Sequence, residues 1–463
     1  MVASLISTTF SGAVSASGLT KFGPGTLQLT GTNVGLNGTL TLNQGVLSGS
    51  VAGLNARPIT LNAGTLDLST TAGRAFLNAI TVNGDSTISG GAGNFPRIAS
   101  LAVNSRTGDT ATPVVLSITN GGLSVSGTTT LGGPVNLNLT GNANTILSGE
   151  VGGAGAITKW GGLTLVLNNA ANNLTGPITI NGGVVSSQNG VTGATPFGTA
   201  PITINPAGTL RVASPANVAT NALTVNSDLA GIAVVSMIYN GAAGVPAPAS
   251  SVFNSTNLGG PFTAVLAVDA VGFSGAIDLS AAGFGQGRAF LGSSLIGNFT
   301  GPLTASTTGN RVPDRNGGAP AVSGNGVYRL GGGGATLNFL GSSNQLTGAN
   351  DIQIGAINNV TGGASNILVA GGGTVQLFNA NNPTGNTYLN FGGFLSAGNN
   401  GAIGASKIVF NGGGIQADAS TGLPTLAVPR TLTNAIGFTG DATFAGATNL
   451  ILSGNVALAD GQT

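Results

Sequence analysis

The sequence predicts an all-β fold, a parallel β-solenoid (right-handed β-helix) with coils of roughly 20 residues. Two observations predict it. A short phrase of alternating apolar residues, closed by Asn and Gly, returns along the chain at nearly constant spacing. The composition sets 81 glycines and 41% hydrophobic residues against 5% charged residues, so the chain has much to bury and little charge to leave outside. A disordered chain has the opposite balance.

The phrase is apolar, Thr, apolar, Asn, any, Gly. It reads Leu40-Thr41-Leu42-Asn43-Gln44-Gly45, then Ile59-Thr60-Leu61-Asn62-Ala63-Gly64, and Ile80-Thr81-Val82-Asn83-Gly84. It returns as Ile178-Thr179-Ile180-Asn181, Ile202-Thr203-Ile204-Asn205, Leu223-Thr224-Val225-Asn226 and Ile408-Val409-Phe410-Asn411. Neighbouring Asn residues are 19 (43 to 62), 21 (62 to 83), 24 (181 to 205) and 21 (205 to 226) residues apart. In Leu-Thr-Leu the two apolar side chains face one way and Thr the other, the period of a strand. Asn and Gly tolerate the backbone of a corner. A second short strand follows, as in Gly64-Thr65-Leu66-Asp67-Leu68. Leu42, Leu61, Val82, Ile180, Ile204, Val225 and Phe410 are therefore expected to point inward and stack in a ladder. Asn43, Asn62, Asn181 and Asn205 are expected at equivalent corners, bonded to the corner backbone or to each other.

A longer repeat lies above the coil. Leu19-Thr20-Lys21-Phe22-Gly23-Pro24-Gly25-Thr26-Leu27-Gln28-Leu29 has a second copy in Ile157-Thr158-Lys159-Trp160-Gly161-Gly162-Leu163-Thr164-Leu165-Val166-Leu167. Asn-rich turns follow the strands, as in Asn172-Asn173-Leu174-Thr175-Gly176 and Asn381-Asn382-Pro383-Thr384-Gly385. These residues resemble the autotransporter-associated β-strand repeat of bacterial surface-protein passengers, best over 18–47, 153–210 and 373–417. The resemblance implies export, a parallel β-helix, and an adhesive or passive surface role. Regular solenoid repeats are expected over 1–230 and 333–463. The stretch 231–332, with Pro246-Ala247-Pro248 and Gly259-Gly260-Pro261, reads as a less regular, loop-rich solenoid segment.

Composition narrows the chemistry. The chain has no Cys and no His, which removes disulfides, thiol catalysis and the side chain most used for proton transfer. Its 13 basic residues are scattered singly, so no run of phosphates can be neutralised and no nucleic-acid partner is expected. The longest nearly apolar stretch, 229–239, is well short of the ~20 residues of a membrane-spanning helix. β-Helical hydrolases and lyases need paired carboxylates on one face. Asp67 and Asp85 come nearest to the coil spacing, and a turn role suits them better. No enzymatic activity, cofactor or metal is expected.

Arg311, Asp314 and Arg315 form the densest charged cluster and are the candidate partner-contact loop. Phe22 and Trp160 occupy one repeat slot, expected to fill a core or corner position, with sugar stacking as the alternative. Neither end carries an amphipathic cap, so either further sequence or another copy of the chain is expected to cover the end coils. The function expected is a secreted structural subunit, assembled head to tail into an extracellular filament or surface matrix. The alternative is a cell-surface adhesin or autotransporter-like passenger displaying binding loops, with surface glycans or other matrix proteins as partners, and behind it a carbohydrate-active β-helix enzyme.

Overall fold

A computed structural model describes residues 2–3, 6–69, 75–91, 95–188, 194–226, 232–238, 264–270, 272–280, 289–307, 326–360, 367–417 and 428–458. The chain is a β-solenoid of stacked coils, nearly all of it parallel β-structure. It divides into two compact units, 1–203 with 209–222, and 204–208 with 223–463.

In the first unit, strands Leu19–Phe22, Leu40–Leu42, Ile59–Leu61, Ala79–Val82 and Ser100–Val103 build one parallel sheet. Strands Thr26–Leu29, Val46–Gly49, Gly64–Asp67, Ser86–Ser89, Val114–Thr119, Val135–Leu139 and Ile157–Trp160 build a second, which Ile178–Ile180 continues. A third begins at Arg97–Ile98 and runs through Leu123–Val125, Thr145–Leu147 and Thr164–Leu167 to Gly183–Ser187. Before residue 97 the described residues of the third side include a single-turn helix, Val51–Leu54. Ser50 caps it by accepting from the Gly53 N–H at 3.0 Å.

Phrase copies align in register. Leu40 pairs with Ile59 and Ile59 with Ile80, so Leu42, Leu61 and Val82 stack on one inner rank. All seven phrase-final residues are buried: Leu42, Leu61, Val82, Ile180, Ile204, Val225 and Phe410. They do not form a single ladder. The first three belong to the first sheet, Ile180 to the second, and Phe410 to the long sheet of the second unit. Period-2 alternation sets inside from outside, but it carries no mark of which wall of the coil a strand joins. The longer repeat moves in the same way, with Lys21 in the first sheet and Lys159 in the second.

In the second unit one sheet runs through Val265–Val268, Phe290–Gly292, Val327–Leu330, Asp351–Ile354, Asn386–Asn390, Lys407–Asn411, Ile436–Phe438 and Val456–Leu458. A second holds Ile296–Phe299, Thr336–Phe339, Gly373–Leu377, Gly393–Ala397, Gly414–Ala417 and Thr443–Ala445. Parallel pairing therefore continues through the described parts of 231–332, for instance Val234 with Val265 and Val265 with Phe290. Aromatic contacts join successive coils: Phe299 meets Phe339 edge-on at 5.4 Å, and Phe410 stacks on Phe438 at 5.1 Å. Among the described strands, only Ala356–Val360 and Ile367–Gly371 pair antiparallel, as an excursion from the coil.

Two kinds of Asn tie coil to coil. On the outside, Asn104 Nδ2 donates to Asn83 Oδ1, Asn83 to Asn62, and Asn62 to Asn43, at 2.9, 2.9 and 2.7 Å. Asn226 donates to Asn205 at 3.0 Å, and Asn411 makes the same bond to Asn390 at 3.1 Å in a buried position. The four expected corner residues divide between two walls: Asn43 and Asn62 follow strands of the first sheet and bond to each other, whereas Asn205, bonded to Asn226, follows a strand of the second. Asn181 sits one residue after Ile180 in the second sheet, and its backbone N–H donates to Lys159 O at 2.9 Å.

The second kind is buried. Asn33 accepts from the Val14 N–H of the preceding coil and donates to Gly53 O of the following one, both at 2.8 Å. Asn172 does the same between Val151 N–H and Pro196 O at 2.8 and 2.7 Å. Asn381 does so between Leu346 N–H and Ala402 O at 3.0 and 2.8 Å. An amide suits this place because its acceptor and its donor sit on separate atoms and reach the two coils at once. Removing it leaves two buried backbone groups unpaired, whereas the exposed ladder groups fall back on water. Asn172→Ala is expected to cost about 2–4 kcal/mol and Asn62→Ala about 1 kcal/mol. Denaturant melts of the two variants check the ordering.

Candidate functional site

Each sequence-derived candidate has a distinct outcome. Arg311, Asp314 and Arg315 lie outside the described residues, as do 239–263 and 281–288 within the loop-rich segment. Asp67 and Asp85 are not brought together. Ser86, next to Asp85, pairs with Gly64, while Asp67 pairs further along with Ser89. Asp67 accepts from Ser48 Oγ at 3.2 Å and from the Ser69 N–H at 3.0 Å. Asp85 holds an ion pair with Arg106 and accepts from the Val115 N–H at 2.7 Å. Arg106 also donates to Pro113 O at 3.0 Å, fastening the loop 104–113 to its corner.

Asp269 carries a dense set of hydrogen bonds that no local motif announces. It is buried in the second unit. Its oxygens accept from Ser236 Oγ, Ser293 Oγ and Ser294 Oγ at 2.5, 2.7 and 2.5 Å, and from the Ser294 and Leu295 N–H groups at 2.7 and 2.9 Å. All five donors upon this carboxylate come from the chain itself. It ties three coils together. Among the described residues no group of three acidic, His or Cys side chains converges to hold a metal ion.

The two Lys-aromatic-Gly copies build the most distinctive polar arrangement. Lys21 pairs in register with Leu42, and Lys159 with Leu137 on one side and Ile180 on the other. Each lysine thus occupies an inward slot that an apolar residue fills in neighbouring coils, and both are essentially inaccessible to solvent. Lys21 Nζ donates to Phe22 O, Gly23 O and Gln44 O at 2.7, 2.5 and 3.3 Å. Lys159 Nζ repeats the pattern on Trp160 O, Gly161 O and Gly182 O at 2.9, 2.7 and 2.9 Å. Three donors of one ammonium meet three carbonyls, two from its own corner and one from the next coil. Burial lowers the pKa of both lysines, that of Lys159 to about 8.

The aromatic that follows each lysine does not fill the core. Trp160 is 47% exposed, on the outer side of its strand. Phe22 takes the equivalent place after Lys21 and is half-buried. Within the first unit, the coils from 101 to 165 enclose a void of about 30 Å³ lined almost wholly by aliphatic side chains, too apolar to hold water or a polar substrate. The wider cleft of about 440 Å³ lies in the second unit, against Ile415, Phe444, Leu450 and Leu452.

No protein-family model, no curated protein and no solved structure matches this chain.

Proposed function

We propose that this chain is a non-enzymatic structural element of an extracellular or cell-surface assembly, a secreted solenoid of the autotransporter-passenger kind that assembles head to tail. One observation carries the reading. In the coil ending at Leu458, strands Thr443–Ala445, Leu450–Leu452 and Val456–Leu458 each pair with the preceding coil on one edge and with no described strand on the other. The same coil leaves Phe444, Ile451, Val456 and Leu458 exposed at 59, 52, 59 and 61%, beside the cleft that Phe444, Leu450 and Leu452 share with Thr448 and Asn449. Open backbone edges and uncovered apolar side chains are what a further coil satisfies, whether it belongs to the same polypeptide or to a second copy. A contact of that kind between copies does not close on itself and extends into a filament. The lack of Cys and His, the scarcity of charge and the repeats at 18–47, 153–210 and 373–417 support the surface setting.

Sedimentation and electron microscopy of the purified chain over a concentration series test the assembly. Linear polymers are expected. Phe444→Glu, on an exposed site, is expected to leave the β-sheet spectrum unchanged and abolish them. Monodisperse monomers of the unmodified chain at high concentration overturn the proposal.

A further inference from the structure

The outer face of the second sheet of the first unit carries one large aromatic side chain, Trp160, nearly half exposed. Asn138 pairs in register with Trp160, and Asn181 follows Ile180, which pairs with Lys159; the indole therefore lies between two amides on adjacent coils. One strand position further in, on the same face, Asn136, Thr158 and Thr179 form a second rank. All five polar residues are partly exposed. Coils repeat at ~4.8 Å and same-face residues at about 6.7 Å, so the patch measures about 10 by 7 Å, the scale of a disaccharide.

In the first sheet, the outward slot at the end of the phrase holds Asn43, Asn62, Asn83 and Asn104, whose amides bond in a continuous series. Trp160 interrupts the same kind of position. It gives up an amide ladder bond and leaves nearly half of a large apolar ring in water, while its own backbone carbonyl serves Lys159 beneath. Any residue supplies that carbonyl. The indole is therefore surplus to the corner, and its surroundings define what it suits.

No charged side chain stands in either rank. Lys159 points inward with its donors spent on carbonyls, and the ion pair Arg106–Asp85, two strands away, is neutral as a unit. A charged ligand would find no countercharge. A ligand with an apolar face and a rim of hydroxyls would find an aromatic surface flanked by amides and hydroxyls that donate and accept.

We infer that Trp160, flanked by Asn138 and Asn181 over the Asn136–Thr158–Thr179 rank, is a contact site for uncharged polysaccharide, stacking one pyranose ring on the indole. The site uses no open coil edge, since strands Val135–Leu139, Ile157–Trp160 and Ile178–Ile180 are each paired with a neighbouring coil on both sides.

The chain has a single Trp, so its fluorescence reports this site alone. The intact chain is titrated with cellohexaose, chitohexaose and mannohexaose, and with polygalacturonate as the charged control. A neutral oligosaccharide is expected to shift the emission to the blue and shield the indole from acrylamide, with no response to polygalacturonate. Pull-down on the matching insoluble polysaccharide is expected to weaken about tenfold in Trp160→Ala, the factor for 1.4 kcal/mol, and much less in Trp160→Phe. Emission and quenching unchanged by every neutral oligosaccharide overturn the inference, as does equal retention of Trp160→Ala. A Trp160→Ala chain that loses its β-sheet spectrum shows a structural role for the ring; the fluorescence titration of the unmodified chain then decides. Concentration-dependent self-association lost in Trp160→Ala, without any glycan response, assigns the face to a second copy and also overturns it.

Discussion

Leu61→Asp is expected to unfold the coils around it, and Thr60→Asp, one residue away, to leave them standing. Leu61 is completely buried and stacks between Leu42 and Val82 on the inner rank of the first sheet. A carboxylate there meets aliphatic side chains in both directions. Lys21, the lysine on this rank, is one coil beyond Leu42 and already donates to three carbonyls. An unpaired buried charge costs several kcal/mol, against a total stability of about 5–15 kcal/mol for a typical domain. Leu61→Ala, which only opens a cavity, is expected to cost about 2–5 kcal/mol. Thr60 faces outward on the same strand, so Thr60→Asp is expected to stay within about 0.5 kcal/mol of the parent. Solenoid stability is a sum of coil and interface terms, so the damage is local. Limited proteolysis is expected to reveal new cleavage between residues 42 and 103 in Leu61→Asp alone. Equal resistance of the two Asp variants would mean that the inside and outside of this strand are misassigned.

That contrast rests on what local sequence encodes. Alternation in Leu40-Thr41-Leu42 and its copies gave the inner rank, and the recurrent Asn gave the outer ladder, because both depend only on the phrase and the stacking of equal coils. What the phrase cannot encode is the wall a strand joins. Coil length varies, with Asn62 and Asn43 bonded 19 residues apart and Ser126 and Ile98 bonded 28 apart, so identical phrases drift from one sheet to another. Asn172 and Asn62 look alike in sequence, yet one is buried between two coils and the other lies at the surface. Their difference comes from backbone groups more than 20 residues away. Asp269 gathers serines 24 to 33 residues distant, beyond any local motif. Lys21 and Lys159 are the sharpest case. A lysine amid apolar residues reads as an exposed charge, and its burial follows from the convergence of three carbonyls from two coils. The doubled motif Lys-aromatic-Gly was the one available signal, and it pointed to equivalence of position rather than to which of the two side chains lies inside.

The buried lysine makes a second large prediction, in pH. Burial brings Lys159 down to about 8 from an ordinary 10.5. Below about pH 8 the side chain is charged in both folded and unfolded chains, and the folded state carries the full cost of burying an ammonium. Between pH 8 and 10.5 the unfolded chain still holds the proton while the folded chain has released it, so rising pH favours folding. Over that window the first unit is expected to gain about 1–2 kcal/mol from this residue, since solvent screening takes part of the effect, against the usual alkaline loss. Lys159→Met keeps the length and apolar stem but removes the titration, so the variant is expected to lose the alkaline gain. At pH 7 it is also expected to be less stable by about 2–4 kcal/mol, because Trp160 O, Gly161 O and Gly182 O lose their shared donor. Denaturant melts at pH 7, 8.5 and 10 separate the two effects. A variant whose stability follows the parent's at all three pH values would mean that the ammonium neither titrates in this window nor holds the corner. A variant more stable than the parent at pH 7 would mean that desolvating the charge outweighs its three hydrogen bonds, and that the lysine is retained at this corner at a net cost to folding.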